Sequence, residues 1–184
     1  MADFPEVIGG GGLELRRRHP TFEDAVTMFG LVDKNRARLG RWLAWVDNIK
    51  TPEDCYDRLK KSEEKGARMY FIFEDDRVRG RVGFVGVNEK DRSLELGYLL
   101  DADAVGKGVV VRAVKLLERE AFGNGWEVIR IKCDAQNEKS VETAKRLGYI
   151  FEGTLRHDDV YPDGRVCDNM FFSKLKSEWE KENA

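Results

Sequence analysis

The residues Gly106-Lys107-Gly108 stand where an apolar stretch, Glu95 to Leu100, gives way to an amphipathic helical pattern. A strand-to-helix turn aims several backbone N–H groups at one point, at the positive end of the helix dipole. Glycine lets a ligand come close to the main chain. The turn that opens the helix at Val109 and Val110 is thus the outline of a phosphate cradle. It is neither of the two common nucleotide motifs. A P-loop needs Ser or Thr after its lysine, where this chain has Gly108. The dinucleotide fingerprint needs a third glycine, where this chain has Val111. Read alone, the turn is also an ordinary helix start.

Other candidates lie on either side. Asn137 and Ser140 are three apart at a predicted helix start, where Asn137 also reads as a plain cap and Ser140 as a surface residue. His157, Asp158 and Asp159 set a group that titrates near neutrality beside two carboxylates. Strand alternation gives His157 and Asp159 one face and Asp158 the other. Glu95 alternates between Leu94 and Leu96, which suits an exposed position as well as a functional one. Arg41, Trp42 and Trp45 join a cation to two indoles three apart on one helix face. Core packing competes with substrate contact for at least one of those indoles.

The composition sets the class. With 184 residues, 41% hydrophobic and 36% charged, the chain fits one domain with a real core. A net charge of −2 argues against nucleic-acid binding as the main task. The local basic clusters, Arg16-Arg17-Arg18 and Arg36/Arg38/Arg41, read first as solvated faces and leave contact with an acidic partner open. Cys55, Cys133 and Cys167 are odd in number and widely spaced, so neither a disulfide framework nor a metal site is expected. Buried thiols in a reducing cytosol are the expectation. No secretory leader or membrane span is expected, which implies a cytoplasmic protein without a membrane role. A homodimer is left open.

The elements that must position these residues follow from pattern. Residues 1–12 end in four glycines and read as a flexible lead. Leu13 to Arg17 alternates as a strand. Thr21 and Asp24 are spaced as a capping box, and a helical region runs to about residue 46 with a break near Gly30 to Asp33. Thr51-Pro52-Glu53-Asp54 starts a second helix, ending near Gly66. Arg68 to Glu74, Val78 to Val87 and Ser93 to Leu100 read as three strands joined by short turns. A helix follows from about Gly108 to Phe122, then a strand over Val128–Cys133. A short helix over Asn137–Leu147 is closed by Gly148. Tyr149 to Val160 and Val166 to Leu175 make a final hairpin.

This order, with these residues, resembles the GNAT superfamily of acetyl-CoA-dependent N-acetyltransferases. Within it the chain is most similar to the Rim type, the N-terminal acetyltransferases of ribosomal proteins. Four matches carry the likeness: Glu95-Leu96-Gly97-Tyr98-Leu99-Leu100 before the loop; Gly106-Lys107-Gly108 as the pyrophosphate loop; Asn137-Glu138-Lys139-Ser140 with Arg146-Leu147-Gly148-Tyr149; and Phe151-Glu152-Gly153-Thr154-Leu155-Arg156. The likeness spans residues 13–176, leaving 177–184 as a tail. It implies an α+β fold: a mixed, mostly antiparallel sheet, helices on both faces, and a splayed parallel strand pair at the acetyl-CoA site. One departure is plain. Val105 stands where the superfamily loop usually carries Gln or Arg, which removes a polar contact but no backbone amide.

The resemblance also implies roles. The backbone of Tyr98, Leu99 and Leu100 would hold the pantetheine arm, opposite Lys132, Cys133 and Asp134. Gly106 to Val110 would hold the pyrophosphate. Asn137 would bond the pantetheine amide, and Ser140 would protonate the departing thiolate. A strand N–H would polarise the thioester carbonyl. Asp159 falls where the family places a carboxylate and is the expected base, with His157 assisting and Glu95 a further candidate. Arg41, Trp42, Trp45 and Glu95 would meet the acceptor. The expected reaction is direct transfer of acetyl from acetyl-CoA, without metal, to a primary amine. A protein N-terminus is the first acceptor class. A small amine, such as an antibiotic, a polyamine or an aminoacyl nucleotide, is the second. A CoA-binding regulatory module without catalysis is a third reading.

Overall fold

The structure is a computed structural model that describes residues 4–184. Its first hairpin pairs β1 (Val7–Gly10) with β2 (Leu13–Arg17). Gly11 and Gly12 join them with φ of +59° and +75°, the geometry of a two-residue hairpin turn that glycine supplies without strain. This corrects the expectation of a flexible lead: Phe4 and Ile8 are buried, and Phe4 packs 5.1 Å from Phe84. The glycine run serves a turn, not a linker. Residues 1–3 of that expected lead lie outside the described residues.

Three helical elements follow: α1 (Phe22–Lys34), α2 (Arg36–Leu39) and a 3-10 segment over Ala44–Asn48, before α3 (Pro52–Glu64). The break falls at Asn35, not near Gly30, and Asn35 Nδ2 donates to the Leu31 carbonyl there. Thr51 and Asp54 form a complete capping box. The Thr21 box is half made: Thr21 accepts the Asp24 N–H, while Asp24 accepts from His19.

β3 (Arg68–Glu74), β4 (Arg77–Asn88) and β5 (Ser93–Leu100) form an antiparallel meander. α4 (Val109–Gly123) crosses to β6 (Val128–Asp134), parallel to β5. α5 (Glu138–Arg146) leads to β7 (Ile150–Val160), β8 (Val166–Leu175) and α6 (Lys176–Glu182). The sheet order is β1-β2-β3-β4-β5-β6-β8-β7, mixed and mostly antiparallel, with one parallel pair. The expected tail is helical: Trp179 of α6 packs tilted against Phe122 at 5.5 Å, and buried Lys174 pairs with Glu182 at 2.8 Å.

Each face of the sheet carries a core. One packs β-strand residues such as Val82, Phe84, Leu94 and Leu96 under α4 and α5. The other packs Phe71 and Leu99 under α1 and α3. Two irregularities matter for function. β4 bulges between Phe84 and Gly86, beside Glu95. A Cβ at Gly97 would come within 2.8 Å of Val85 Cγ1, so only glycine fits where the bulged valine packs. At the same level the parallel pair parts. β5 and β6 pair only from Ser93↔Val128 to Leu96↔Ile131; beyond that, Gly97–Leu100 stays with β4 and Lys132–Asp134 with β8. The strands splay, as the family likeness implies.

Candidate active site

Three groups of residues surround this splay. The first is the turn into α4. Gly106 and Gly108 have φ of +80° and +70°, and a Cβ built at either meets nothing within 4 Å. Gly108 caps the helix without any side-chain bond, so the first-turn N–H groups point outward into open space. Val109 and Val110 turn their side chains into the core, leaving only their backbone to the turn. Lys107 is exposed. The residues present fit an anionic pyrophosphate: amides without a side-chain cap, a dipole end and an exposed cation.

The second group lies between β5 and α5. The Tyr98 hydroxyl is 2.8 Å from Ser140 Oγ, and the Ser140 N–H donates to Asn137 Oδ1 at 3.3 Å. Asn137 is therefore the cap of α5, which fixes the Ser140 position. Burial raises the Tyr98 phenol to about 12, against the lowering effect of Ser140. Burial also raises the Cys133 thiol, again opposed by the Ser140 hydroxyl. The sequence reading assigned Tyr98 a backbone role only. Its hydroxyl was not legible, because nothing in the local spacing brings Tyr98 to Ser140.

The third group is a cavity of about 300 Å³ on the α1/α3 side of the sheet. Trp42, Trp45, Glu95 and Asp159 line it, joined by Lys132, Cys133 and Asp134. Four residues chosen from three separate stretches of sequence thus share one chamber. Asp158 pairs with Lys132 at 2.7 Å and accepts from Asn169 at 2.9 Å. Lys132 lowers the Asp158 carboxyl, with Asn169 adding to the effect. Asp134 accepts from Arg165 at 2.9 Å and Tyr161 at 3.2 Å. Among the described residues, Glu95 and Asp159 are the cavity carboxylates without an ion pair, and Asp159 Oδ1 accepts the Val160 N–H.

Two expected site residues fall outside the cavity wall. β7 is bulged between Leu155 and Asp159, so simple alternation fails there. His157 has φ +54°, is exposed, and gives its N–H to Asp168. It shares no wall with Asp159. Arg41 lies at the rim, its guanidinium 5.1 Å from the Trp42 ring. Its carbonyl accepts from Arg165, and the Trp42 carbonyl accepts from Tyr161 at 3.4 Å. Asp134, Tyr161 and Arg165 thereby clasp the β7–β8 hairpin to the loop that carries both tryptophans. No three His, Cys, Asp or Glu side chains among the described residues are grouped as metal ligands. No helix among them is long and apolar enough to cross a membrane.

Comparison with known proteins identifies the family and the fold. Residues 14–150 match the acetyltransferase (GNAT) domain family. The chain is 29% identical over 157 residues to the ribosomal-protein-serine acetyltransferase of Escherichia coli, covering 78% of this chain and 87% of that one. It superposes on a microcin self-immunity acetyltransferase, solved with acetyl-CoA and AMP, with TM-score 0.82 and 27% identity, covering 90% and 93% of the two chains. A ribosomal α-N-protein acetyltransferase in complex with coenzyme A shares the fold at TM-score 0.86 and 24% identity, covering 94% and 99%.

Proposed function

The chain belongs to the GNAT acetyltransferase family, and on that premise we propose that it transfers acetyl from acetyl-CoA to a protein N-terminal α-amine. The observation that carries the reading is the placement of the cavity. Its wall includes Cys133 and Glu95, which flank the point where β5 and β6 part. An acceptor seated between Trp42, Trp45 and Asp159 would meet a thioester lying in that gap.

The chain's own groups can be given tasks. Amides of Gly106 to Val110 bind the pyrophosphate. The unpaired edge of Gly97 to Leu100 offers backbone partners to an extended pantetheine arm. Asp159, with Glu95 as the second candidate, receives a proton from the acceptor ammonium, directly or through water. The neutral amine attacks the thioester carbonyl, the C–S bond breaks, and the thiolate leaves. Ser140, held by Asn137 and backed by Tyr98, supplies the proton to that sulfur. No covalent enzyme intermediate is required.

The acceptor class follows from the weakness of the base. An α-amine has an ordinary pKa of about 7.7–8.0, while a lysine amine is near 10.4. A carboxylate can deprotonate the first at neutral pH far more readily than the second. A thiol-release assay with acetyl-CoA tests the reading. A peptide with a free N-terminus should release coenzyme A, and the same peptide blocked at its N-terminus should not. Equal rates for both would refute it.

A further inference from the structure

Several guanidiniums among the described residues are held by a carboxylate. Arg36 pairs with Asp33, Arg112 with Glu74, and Arg165 with Asp134. Arg81 has no ion pair among the described residues. It stands on β4, facing α1 and α3, and is 7% exposed. Its Nε is buried without a hydrogen-bond partner. A guanidinium carries five donors, and burying it unpaired is costly. Its neighbours make matters worse. Arg18 and Arg58 repel it, and after burial they are the largest causes that push its pKa well below the ordinary value. The acids nearest to Arg18 are already engaged: Asp24 accepts the His19 N–H at 2.6 Å, and Glu63 pairs with the His19 ring. The Cys55 thiol in the cluster is raised to about 11 by burial and stays neutral. Arg18 is balanced in part by Asp24 and Glu63, whereas Arg58 and Arg81 share the Trp45 ring with no carboxylate partner among the described residues.

The cluster adjoins the acceptor cavity through one side chain. Trp45 lines that cavity, and its ring carries the Arg58 guanidinium at 4.1 Å and that of Arg81 at 5.2 Å. Arg58 is exposed, so an anion lying along Trp45 can reach it from solvent. Glu95 and Asp159, without ion pairs, provide the acidic end of the same region. We propose that Arg58 and Arg81, stacked on Trp45, form the anion-binding end of the acceptor site, so that the acceptor bears a carboxylate or phosphoryl group in addition to its amine. This rests on the assignment of the cavity as the acceptor site. A bipolar site of this kind selects acceptors that carry both charges. It also disfavours polyamines, which have no group to offer the arginines.

The test uses the full-length protein and four acceptors. Three are peptides beginning with serine, identical except for the next two residues: Asp-Glu, phosphoserine-Asn, or Lys-Lys. The fourth is spermidine. The acidic or the phosphorylated peptide should exceed the lysine peptide in kcat/KM by at least about tenfold, close to 1.4 kcal/mol. The preferred peptide identifies carboxylate or phosphoryl as the anion. Arg58→Ala and Arg81→Met should remove the preference through KM, with kcat little changed.

Arg81→Met carries a second readout. If Arg81 were only a packing residue, the variant should melt lower than wild type. If its charge is kept for a ligand, removing it should leave the free protein as stable or more so, while inorganic phosphate, added with coenzyme A in excess, should stabilise wild type and not the variant. Equal kcat/KM for acidic and lysine peptides would overturn the proposal, as would a preference for spermidine. Failure of all four acceptors would instead overturn the acceptor assignment, and the phosphate-dependent melting shift would then decide the anion site by itself.

Discussion

The Tyr98 hydroxyl lies 2.8 Å from Ser140 Oγ, and Ser140 is itself fixed by the Asn137 cap of α5. Two hydroxyls 42 residues apart in sequence, one on β5 and one on α5, thus meet. With its phenol raised to about 12 by burial, Tyr98 remains protonated throughout the neutral range and can refill a proton lost by Ser140.

Ser140→Ala should therefore lower kcat while leaving acetyl-CoA affinity nearly unchanged. General acid help is worth about 10²–10⁴-fold, and solvent access favours the low end. Tyr98→Phe should cost less alone and almost nothing on top of Ser140→Ala, because the two act in series. Additive losses in steady-state kinetics would separate their roles.

Gly108 tests the phosphate cradle. Its φ of +70° makes any side chain there strained by about 1–2 kcal/mol, yet a Cβ meets no protein atom within 4 Å. Gly108→Trp should remain folded with a modest fall in Tm and lose acetyl-CoA affinity by more than about tenfold in calorimetry. Retained affinity would move the pyrophosphate elsewhere.

The clasp around Asp134 predicts a pH effect. Burial alone would raise this carboxyl, but the Gln136 N–H, Arg165, Cys167 and Tyr161 outweigh it and the net shift is downward. The clasp's stability is fully present above the ordinary aspartate pKa of about 3.9 and is lost as pH falls through the lower folded value. Asp134→Asn should lower stability at pH 7 by about 1–3 kcal/mol, with the difference from wild type vanishing in acid. It should raise the acceptor KM more than it lowers kcat, since the hairpin no longer holds the Arg41–Trp45 loop. Denaturant melts at both pH values, with peptide kinetics, would check this.

Asp159→Asn should reduce turnover at neutral pH and recover in part near pH 9, where an α-amine needs no base. His157→Ala should do less, as His157 lies outside the cavity wall. Should Glu95→Gln show the pH-dependent loss instead, the base is Glu95.

Much of this layout was legible in sequence because it is local. The αL glycines of the α4 turn, the Thr51 capping box and the strand order follow from short-range rules. Trp42, Trp45, Glu95 and Asp159 were each singled out, and the fold gathers them. The misses share a cause. Gly11 and Gly12 look like a linker unless β1 is known to pair with β2. The β7 bulge defeats alternation at His157, because a bulge is set by the partner strand. The Asp134–Tyr161 and Asp134–Arg165 contacts join residues 27 and 31 apart, and no spacing rule reaches that far. Nothing in the strand from Val78 to Val87 singles out Arg81; the fold sets it against Trp45 and leaves it 7% exposed.

One measurement bears most directly on the central claim. A peptide carrying both a free α-amine and an internal lysine, incubated with the enzyme and acetyl-CoA near pH 7.5 (roughly the α-amine pKa), should gain a single acetyl group, which fragmentation by tandem mass spectrometry places on the N-terminal nitrogen. Acetyl on the lysine, or no acetyl on either amine, would contradict the account.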